Sequence, residues 1–142
     1  MKRIAILNGP NLNLLGTREP EVYGHKTLED LEAEWVAFGQ AKGVEITCFQ
    51  SNVEGELIDA IQVHGFDADA ILINPGGYTH TSVAIRDAIA AVDAPVYEIH
   101  ISHPDAREEF RKTSLVREVC AGGVSGLGVQ GYMAVLESIV PE

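Results

Sequence analysis

The segment Glu98-Ile99-His100-Ile101-Ser102-His103 carries the most explicit chemistry in the chain, because Glu98 and His100 lie two apart in a run with strand character. Alternate residues of a strand point to the same face, so this carboxylate and imidazole meet. A carboxylate beside an imidazole orients the ring and favours its protonated form, which suits a general acid. Read as a metal pair, His100 and His103 lack a convincing third ligand. Arg107 and Arg111 follow at i and i+4 within Asp105–Lys112, which reads as a short charged helix. That spacing sets both guanidiniums on one face, ready to hold an anion or a hydroxyl-rich ligand. A surface salt bridge is the simpler reading of either arginine taken alone.

Two further segments have residue types that suit a ligand site. The first is a long loop, Asn8 to Gly24, in which Arg18 lies five residues from Tyr23. A tyrosine hydroxyl titrates near pH ~10, and a nearby guanidinium favours the phenolate. Such a pair is more often packing than catalysis, and Asn8 and Asn11 are ordinary turn residues. A loop of this length inside a compact domain nevertheless usually has a task, often as a lid. The second is Asn74-Pro75-Gly76-Gly77-Tyr78-Thr79-His80-Thr81-Ser82. Glycines there allow a ligand to approach the backbone, and a helix start offers free N–H groups to an anion. A plain turn with a Thr or Ser helix cap and a structural His80 is the alternative.

These segments have to be positioned by something, and the pattern between them alternates strand with helix from end to end. Strands are expected at Arg3–Leu7, Val44–Phe49, Ala70–Ile73, Pro95–Ile99 and near Gly123–Leu127. Thr27-Leu28-Glu29-Asp30 has the form of a capping box, followed by Leu28, Leu31, Trp35 and Phe38 at helical spacing up to Gly43. Ser51-Asn52-Val53-Glu54 is read as the cap of a second helix with Leu57, Ile58 and Ile61 facing inward. Further helices are expected near Ser82–Val92 and Val129–Val140. The alternation implies an α/β fold, a doubly wound five-stranded parallel sheet with helices on both faces in three α/β/α layers. Right-handed crossovers and five strands favour the flavodoxin-like order, over one catalytic domain spanning 1–142. Ligands of such folds bind at the carboxyl ends of the strands, beside the point where strand order reverses. The segments after strands one, three and four are the ones just described.

Composition narrows the classes. The chain has 142 residues, 46% hydrophobic and 22% charged, with a formal net charge of −11. That acidity disfavours nucleic-acid and anionic-membrane partners. The apolar start is too short for a signal peptide or a membrane span, so a cytoplasmic location is expected. Cys48 and Cys120 stand alone and read as two reduced, mostly buried thiols. Gly126-Leu127-Gly128-Val129-Gln130-Gly131 matches the dinucleotide-binding pattern. It follows the last strand, however, and leaves no later strand to supply the ribose-binding acid. It reads instead as a device for packing the last helix against the sheet. No Walker A lysine, H-E-x-x-H or G-x-S-x-G occurs, and the four lysines avoid the strand runs.

Taken in order, these segments resemble the type II 3-dehydroquinate dehydratases. The matching text is Asn8-Gly9-Pro10-Asn11 with Gly16-x-Arg18-Glu19-Pro20-x-x-Tyr23-Gly24, then Gln50-Ser51-Asn52-x-Glu54-Gly55-Glu56-Leu57. It continues with Asn74-x-Gly76-Gly77-x-Thr79-His80-Thr81-Ser82-Val83-Ala84, Asp87 and Glu98-x-His100-Ile101-Ser102. Arg107-Glu108-Glu109-Phe110-Arg111 and Gly126-x-Gly128-x-x-Gly131-Tyr132 complete it. No one motif decides, but the ordered combination is specific and runs from the first strand to the last helix.

The resemblance implies a lyase that dehydrates 3-dehydroquinate to 3-dehydroshikimate by anti elimination, in aromatic amino acid biosynthesis by the shikimate pathway or in quinate catabolism. It implies that Tyr23, as a phenolate beside Arg18, removes a C2 proton, and that Asn11 supports the enolate through a held water. By the same likeness His100, oriented by Glu98, protonates the departing hydroxyl. Asn74 and the backbone N–H groups of Ile101 and Ser102 would take the substrate carboxylate, His80 and Arg111 the ring hydroxyls, and Arg107 would help close the loop. Asp87 would reach a neighbouring subunit's site in trimers that build a dodecamer. Neither a metal nor an organic cofactor is implied. Pro75, Tyr97 and His103 depart from the family's frequent residues without replacing any of these positions. A flavodoxin-like protein binding phosphate or flavin without catalysis is the competing class, and an inactive scaffold is disfavoured because every expected catalytic residue type is present.

Overall fold

The structure, a computed structural model, describes residues 1–17, 21 and 24–142. Its centre is a five-stranded, all-parallel sheet in the order β2-β1-β3-β4-β5. The strands are β1 (Arg3–Asn8), β2 (Glu45–Gln50), β3 (Ala70–Asn74), β4 (Val96–His100) and β5 (Gly122–Ser125). Among the described residues the α-helices are α1 (Leu28–Lys42), α2 (Glu54–Gly65), α3 (Val83–Ala91) and α4 (Gln130–Ile139). The expected doubly wound, flavodoxin-like sheet is the one observed.

The three layers follow from the alternation of side chains along the central strands. Ile4 and Ile6 of β1, Leu72 of β3 and Ile99 of β4 face α1 and α4, with Trp35, Tyr132 and Leu136. Ala5, Leu7, Ile71 and Ile73 point the opposite way, onto Leu57 and Ile61 of α2 and Ile85 and Ile89 of α3. Every residue of β3 is buried, as a central parallel strand covered on both faces requires. Trp35 and Tyr132 join α1 to α4 through rings 4.4 Å apart and tilted by 31°. Such a pair adds about 0.5–1.5 kcal/mol beyond its area burial. On the Gly126–Gly131 motif, a Cβ at Gly131 would stand 3.1 Å from Val124 Cγ2, so the glycine lets α4 lie close on β5. Gly126 and Gly128 take positive φ in the turn before the helix, so within the motif Gly131 is the glycine that serves packing of α4 on β5.

Local chemistry sets the helix ends. The Thr27 side chain accepts the Asp30 N–H while the Asp30 carboxylate accepts the Thr27 N–H, completing the capping box. Ser82 Oγ accepts the Ile85 N–H at 2.9 Å and donates to the Glu54 carboxylate, tying the starts of α2 and α3 together. Ser51 is not the cap of α2, whose N-cap position is Val53. The Ser51 hydroxyl instead accepts the Val53 N–H at 2.9 Å and turns the chain into the helix. The charged helix expected over 105–112 is replaced by two 3-10 turns, Pro104–Ala106 and Glu109–Lys112. Arg107 (φ −105°, ψ −146°) breaks the path between them. The stretch has one large apolar residue, Phe110, and that is 62% exposed. Without an apolar face to bury, tertiary packing cannot offset helix nucleation.

Candidate active site

The strand order reverses between β1 and β3, whose last residues, Asn8 and Asn74, are paired in register. The carboxyl ends of β1, β3 and β4 therefore converge, and a cleft opens above them. Its walls include Asn11, Asn74, His80, His100, Ile101, Ser102, Arg107 and Arg111. Eight of the residues singled out from the sequence thus meet in one place, although they span more than a hundred positions. Arg18 and Tyr23 lie outside the described residues. Asp87 is exposed on α3 and is not among the cleft residues of its own chain.

The floor of the cleft comes from β3. The Asn74 side chain is held at both ends: its Nδ2 donates to Tyr132 Oη at 3.0 Å, and its Oδ1 accepts the Gly76 N–H at 3.1 Å. Tyr132 in turn donates to Asn8 Oδ1, 2.5 Å away. Burial pushes the Tyr132 phenol well above its ordinary range, so it stays a neutral donor. One Nδ2 hydrogen of Asn74 remains for a ligand. Gly9 lets the first loop pass close to this floor, since a Cβ there would come within 2.5 Å of the Pro75 carbonyl oxygen.

The first loop is less polar in action than in composition. Its 3-10 turn Leu12–Leu14 sends Leu12 into the core, and Leu15 follows it. Asn11 adopts the left-handed conformation at φ 70°, and its N–H donates to Asn52 Oδ1 at 3.0 Å. Asparagine tolerates this conformation better than most residues, which fits its place at the turn.

β4 supplies the titratable pair. Glu98 and His100 are 4% and 7% exposed, and His100 Nε2 lies 2.6 Å from Glu98 Oε2. Glu98 also accepts Ser114 Oγ at 2.6 Å and Arg117 Nε at 3.4 Å. Burial alone would raise its pKa. The His100 and Ser114 hydrogen bonds and the charges of His100 and Arg117 outweigh that and hold it below the usual carboxylate range. With Nε2 committed to the carboxylate, Nδ1 is the His100 nitrogen left to exchange a proton with a ligand. Ser114 and Arg117 were not singled out from the sequence. They lie 16 and 19 positions from Glu98, and no spacing rule reaches that far.

The remaining wall is basic. Arg107 Nη1 reaches Ser102 Oγ at 3.5 Å, and Arg111 pairs with Glu108 while lying 4.9 Å from the centre of the Phe110 ring. That pairing, first through the Arg111 hydrogen bond, holds the Glu108 carboxyl below its ordinary range. His80 Nδ1 lies 2.7 Å from the Thr113 carbonyl, which can only accept, so Nδ1 carries the hydrogen and Nε2 is left for a ligand. Arg107 and Arg111 do not share a helix face, yet both line the cleft, because the two turns carry them there separately. Backbone geometry has replaced helical spacing.

A cleft with an amide floor, a buried carboxylate–imidazole pair and a basic wall suits an anionic, hydroxylated substrate and a proton transfer. Residues 2–140 match the family model described as dehydroquinase class II. The chain belongs to the class II dehydroquinase family. Among its relatives, a 3-dehydroquinate dehydratase of Halothermothrix orenii is 51% identical over 99% of this chain and 95% of that protein. A catabolic 3-dehydroquinase 1 of Fusarium vanettenii is 54% identical over 91% of this chain and 90% of that one. The type II dehydroquinase structure from Butyrivibrio crossotus superposes with a TM-score of 0.93 at 45% identity, covering 96% of each chain. That from Propionibacterium acnes gives 0.95 at 38% identity over 100% of this chain and 98% of the other. The class II dehydroquinase resemblance drawn from scattered motifs therefore extends over the whole chain. Among the described residues no group of three or more His, Cys, Asp or Glu is arranged to hold a metal. Nor is any described helix long and apolar enough to cross a membrane.

Proposed function

We propose that this class II dehydroquinase dehydrates 3-dehydroquinate to 3-dehydroshikimate through an enolate. The observation that carries this reading is the buried Glu98–His100 pair, with His100 lining the same cleft as Asn74, Arg107 and Arg111. Tyr23, as a phenolate beside Arg18, takes the C2 proton, and the electron pair moves into the ketone to give the enolate. Asn11 supports that oxyanion through a water. As the enolate collapses, the C1–O bond breaks and His100 Nδ1 gives its proton to the leaving hydroxyl, releasing water. Glu98 keeps Nε2 hydrogen-bonded throughout, so the ring does not turn between donating and regaining the proton. The net change is loss of one water, and the tyrosine returns its proton to solvent as the histidine regains one.

Asn74 and the Ile101 and Ser102 N–H groups take the substrate carboxylate in this reading, while His80 and Arg111 take ring hydroxyls and Arg107 helps to close the first loop. Asp87 serves a neighbouring subunit's site within a trimer, four of which form a dodecamer. Its exposure on α3, away from its own cleft, supports that assignment. We place the enzyme in the cytoplasm, in aromatic amino acid biosynthesis or quinate breakdown. A flavin-binding protein of the same fold would purify yellow; the lyase is colourless and generates an ultraviolet-absorbing conjugated enone. Tyr23→Phe is expected to bind substrate and to lose nearly all turnover. Near-full activity in that variant would remove Tyr23 as the base.

A further inference from the structure

A second cavity opens behind the acid pair, lined by Glu98 and His100 together with His103, Asp105, Arg117 and the β5 residues from Gly122 to Ser125. Gly123 is paired with Glu98 in register, and a Cβ on it would lie 2.4 Å from the Glu98 carbonyl oxygen. The strand thus leaves this space open and runs tight against the base of Glu98. Arg117 enters from solvent, 52% exposed at its side chain, and its Nε donates to Oε1 of a Glu98 side chain only 5% exposed. The other carboxylate oxygen takes His100 Nε2 and Ser114 Oγ, each at 2.6 Å. Ser114 Oγ also accepts the Arg117 N–H at 3.2 Å, which couples the two groups that bracket the carboxylate. Arg117 and Ser114 line no part of the substrate cleft.

We infer that Arg117 is a positioning residue for the general acid: from the rear cavity, with Ser114, it fixes the Glu98 carboxylate, and its charge limits how firmly His100 retains the proton it must give up. The inference rests on the reading of His100 as the acid. A lone buried carboxylate against an imidazolium would hold the proton tightly, and a tightly held proton is transferred poorly. A guanidinium on the far oxygen draws on the same negative charge and opposes the imidazolium, which eases release. Other charged or titratable groups also face the pair. Arg107, Arg111 and His80 stand across the substrate cleft, and His103 and Asp105 stand in the rear cavity. Cys120 lies close enough to feel the Glu98 charge, its thiol pushed up to about 12 by burial first and that charge second. Among the described residues only His100, Ser114 and Arg117 bond the Glu98 side chain.

The test is kcat and KM against pH for the wild type, Arg117→Gln, Arg117→Lys and Ser114→Ala. Removing the cation favours the protonated imidazole, so in Arg117→Gln the high-pH limb of kcat should move up by about half a pH unit or more. The maximal kcat should fall roughly threefold to tenfold, with KM within about twofold. Arg117→Lys should return both toward wild type, and Ser114→Ala should lower kcat with little movement of the limb. Titration of the His100 ring by NMR in the substrate-free enzyme should shift in the same direction as the limb, without reference to turnover. An unmoved limb and unmoved ring titration in Arg117→Gln overturn the inference. So does a joint loss of kcat and stability that lysine does not restore. His100→Gln keeps the two levels apart: if it turns over at the wild-type rate, the acid assignment itself is wrong.

Discussion

Two neighbouring strands end in this cleft, and each holds the side chain proposed to act there by a different kind of support. At the end of β3, Asn74 is fixed by the Gly76 N–H and by Tyr132, which is itself anchored on Asn8; all of these groups are neutral, and Tyr132 and Asn8 are fully buried. At the end of β4, His100 is fixed by Glu98, which is itself held by Ser114 and by an arginine that opens to solvent. A group that only binds needs fixed geometry and is best held by partners that do not titrate. A group that must give and regain a proton needs partners whose charge sets its acidity. The proposed roles of Asn74 and His100 match that division, and the two networks also differ in place: the neutral one sits at the topological switch point, the ionic one beside the sheet edge, where solvent reaches Arg117.

The comparison can be broken most directly at His100. His100→Gln leaves a hydrogen-bond donor for Glu98 but no transferable proton, and kcat should fall by about 10²- to 10⁴-fold while substrate still binds. Steady-state kinetics beside a direct binding measurement would show it. Parallel losses of kcat and binding would mean that the β4 network binds in the same way as the β3 network does.

On the neutral side, Tyr132→Phe strips Asn74 and Asn8 of a shared partner in the buried floor. The cost should be about 1–3 kcal/mol in denaturant unfolding, because two buried polar groups each lose a hydrogen bond. KM should rise without any change in the pH profile of kcat. A shifted profile would contradict the proposed separation of roles.

Glu98→Gln sharpens the contrast through stability. The Glu98 carboxyl is held below its ordinary value in the folded chain, so its contribution is present above the unfolded carboxylate pKa. That contribution is lost as pH falls through the lowered folded value. Thermal unfolding of the wild type should therefore lose stability more steeply below pH ~4 than Glu98→Gln does. Tyr132→Phe should run parallel to wild type over the same range.

The smallest effect concerns the thiols. Cys48 and Cys120 are both pushed up to about 12, chiefly by burial, with Glu32 adding to the first and Glu98 to the second. Both should react slowly with a disulfide reagent at neutral pH. In Glu98→Gln the Cys120 rate should rise modestly and the Cys48 rate should not, as single-cysteine variants would resolve. Equal rates before and after would mean that the Glu98 charge does not reach Cys120.

The architecture was legible because each of its signals is local. Thr27 with Asp30, the spacing of Leu28, Leu31 and Trp35, and the unbroken apolar run at Ala70–Ile73 determine their own elements, and alternation then leaves few ways to wind the sheet. Glu98 and His100 were legible for the same reason, since a two-residue offset on a strand settles which way both point. Asp105–Lys112 departs from the expected helix because the i, i+4 spacing of its arginines has no apolar face to support it.

What the sequence by itself determined is the set of elements, the flavodoxin-like winding that their alternation favours and the residue types that gather at the sheet's carboxyl edge. Tertiary structure alone decided that Arg117 and Ser114 close around Glu98, that Tyr132 reaches back 124 positions to Asn8, and that two unrelated turns deliver Arg107 and Arg111 to one wall. The physical reason is range. Propensity, capping and periodicity act over a few residues, whereas a hydrogen bond between distant side chains exists only once the sheet has stacked the strands and the core has placed the loops above them.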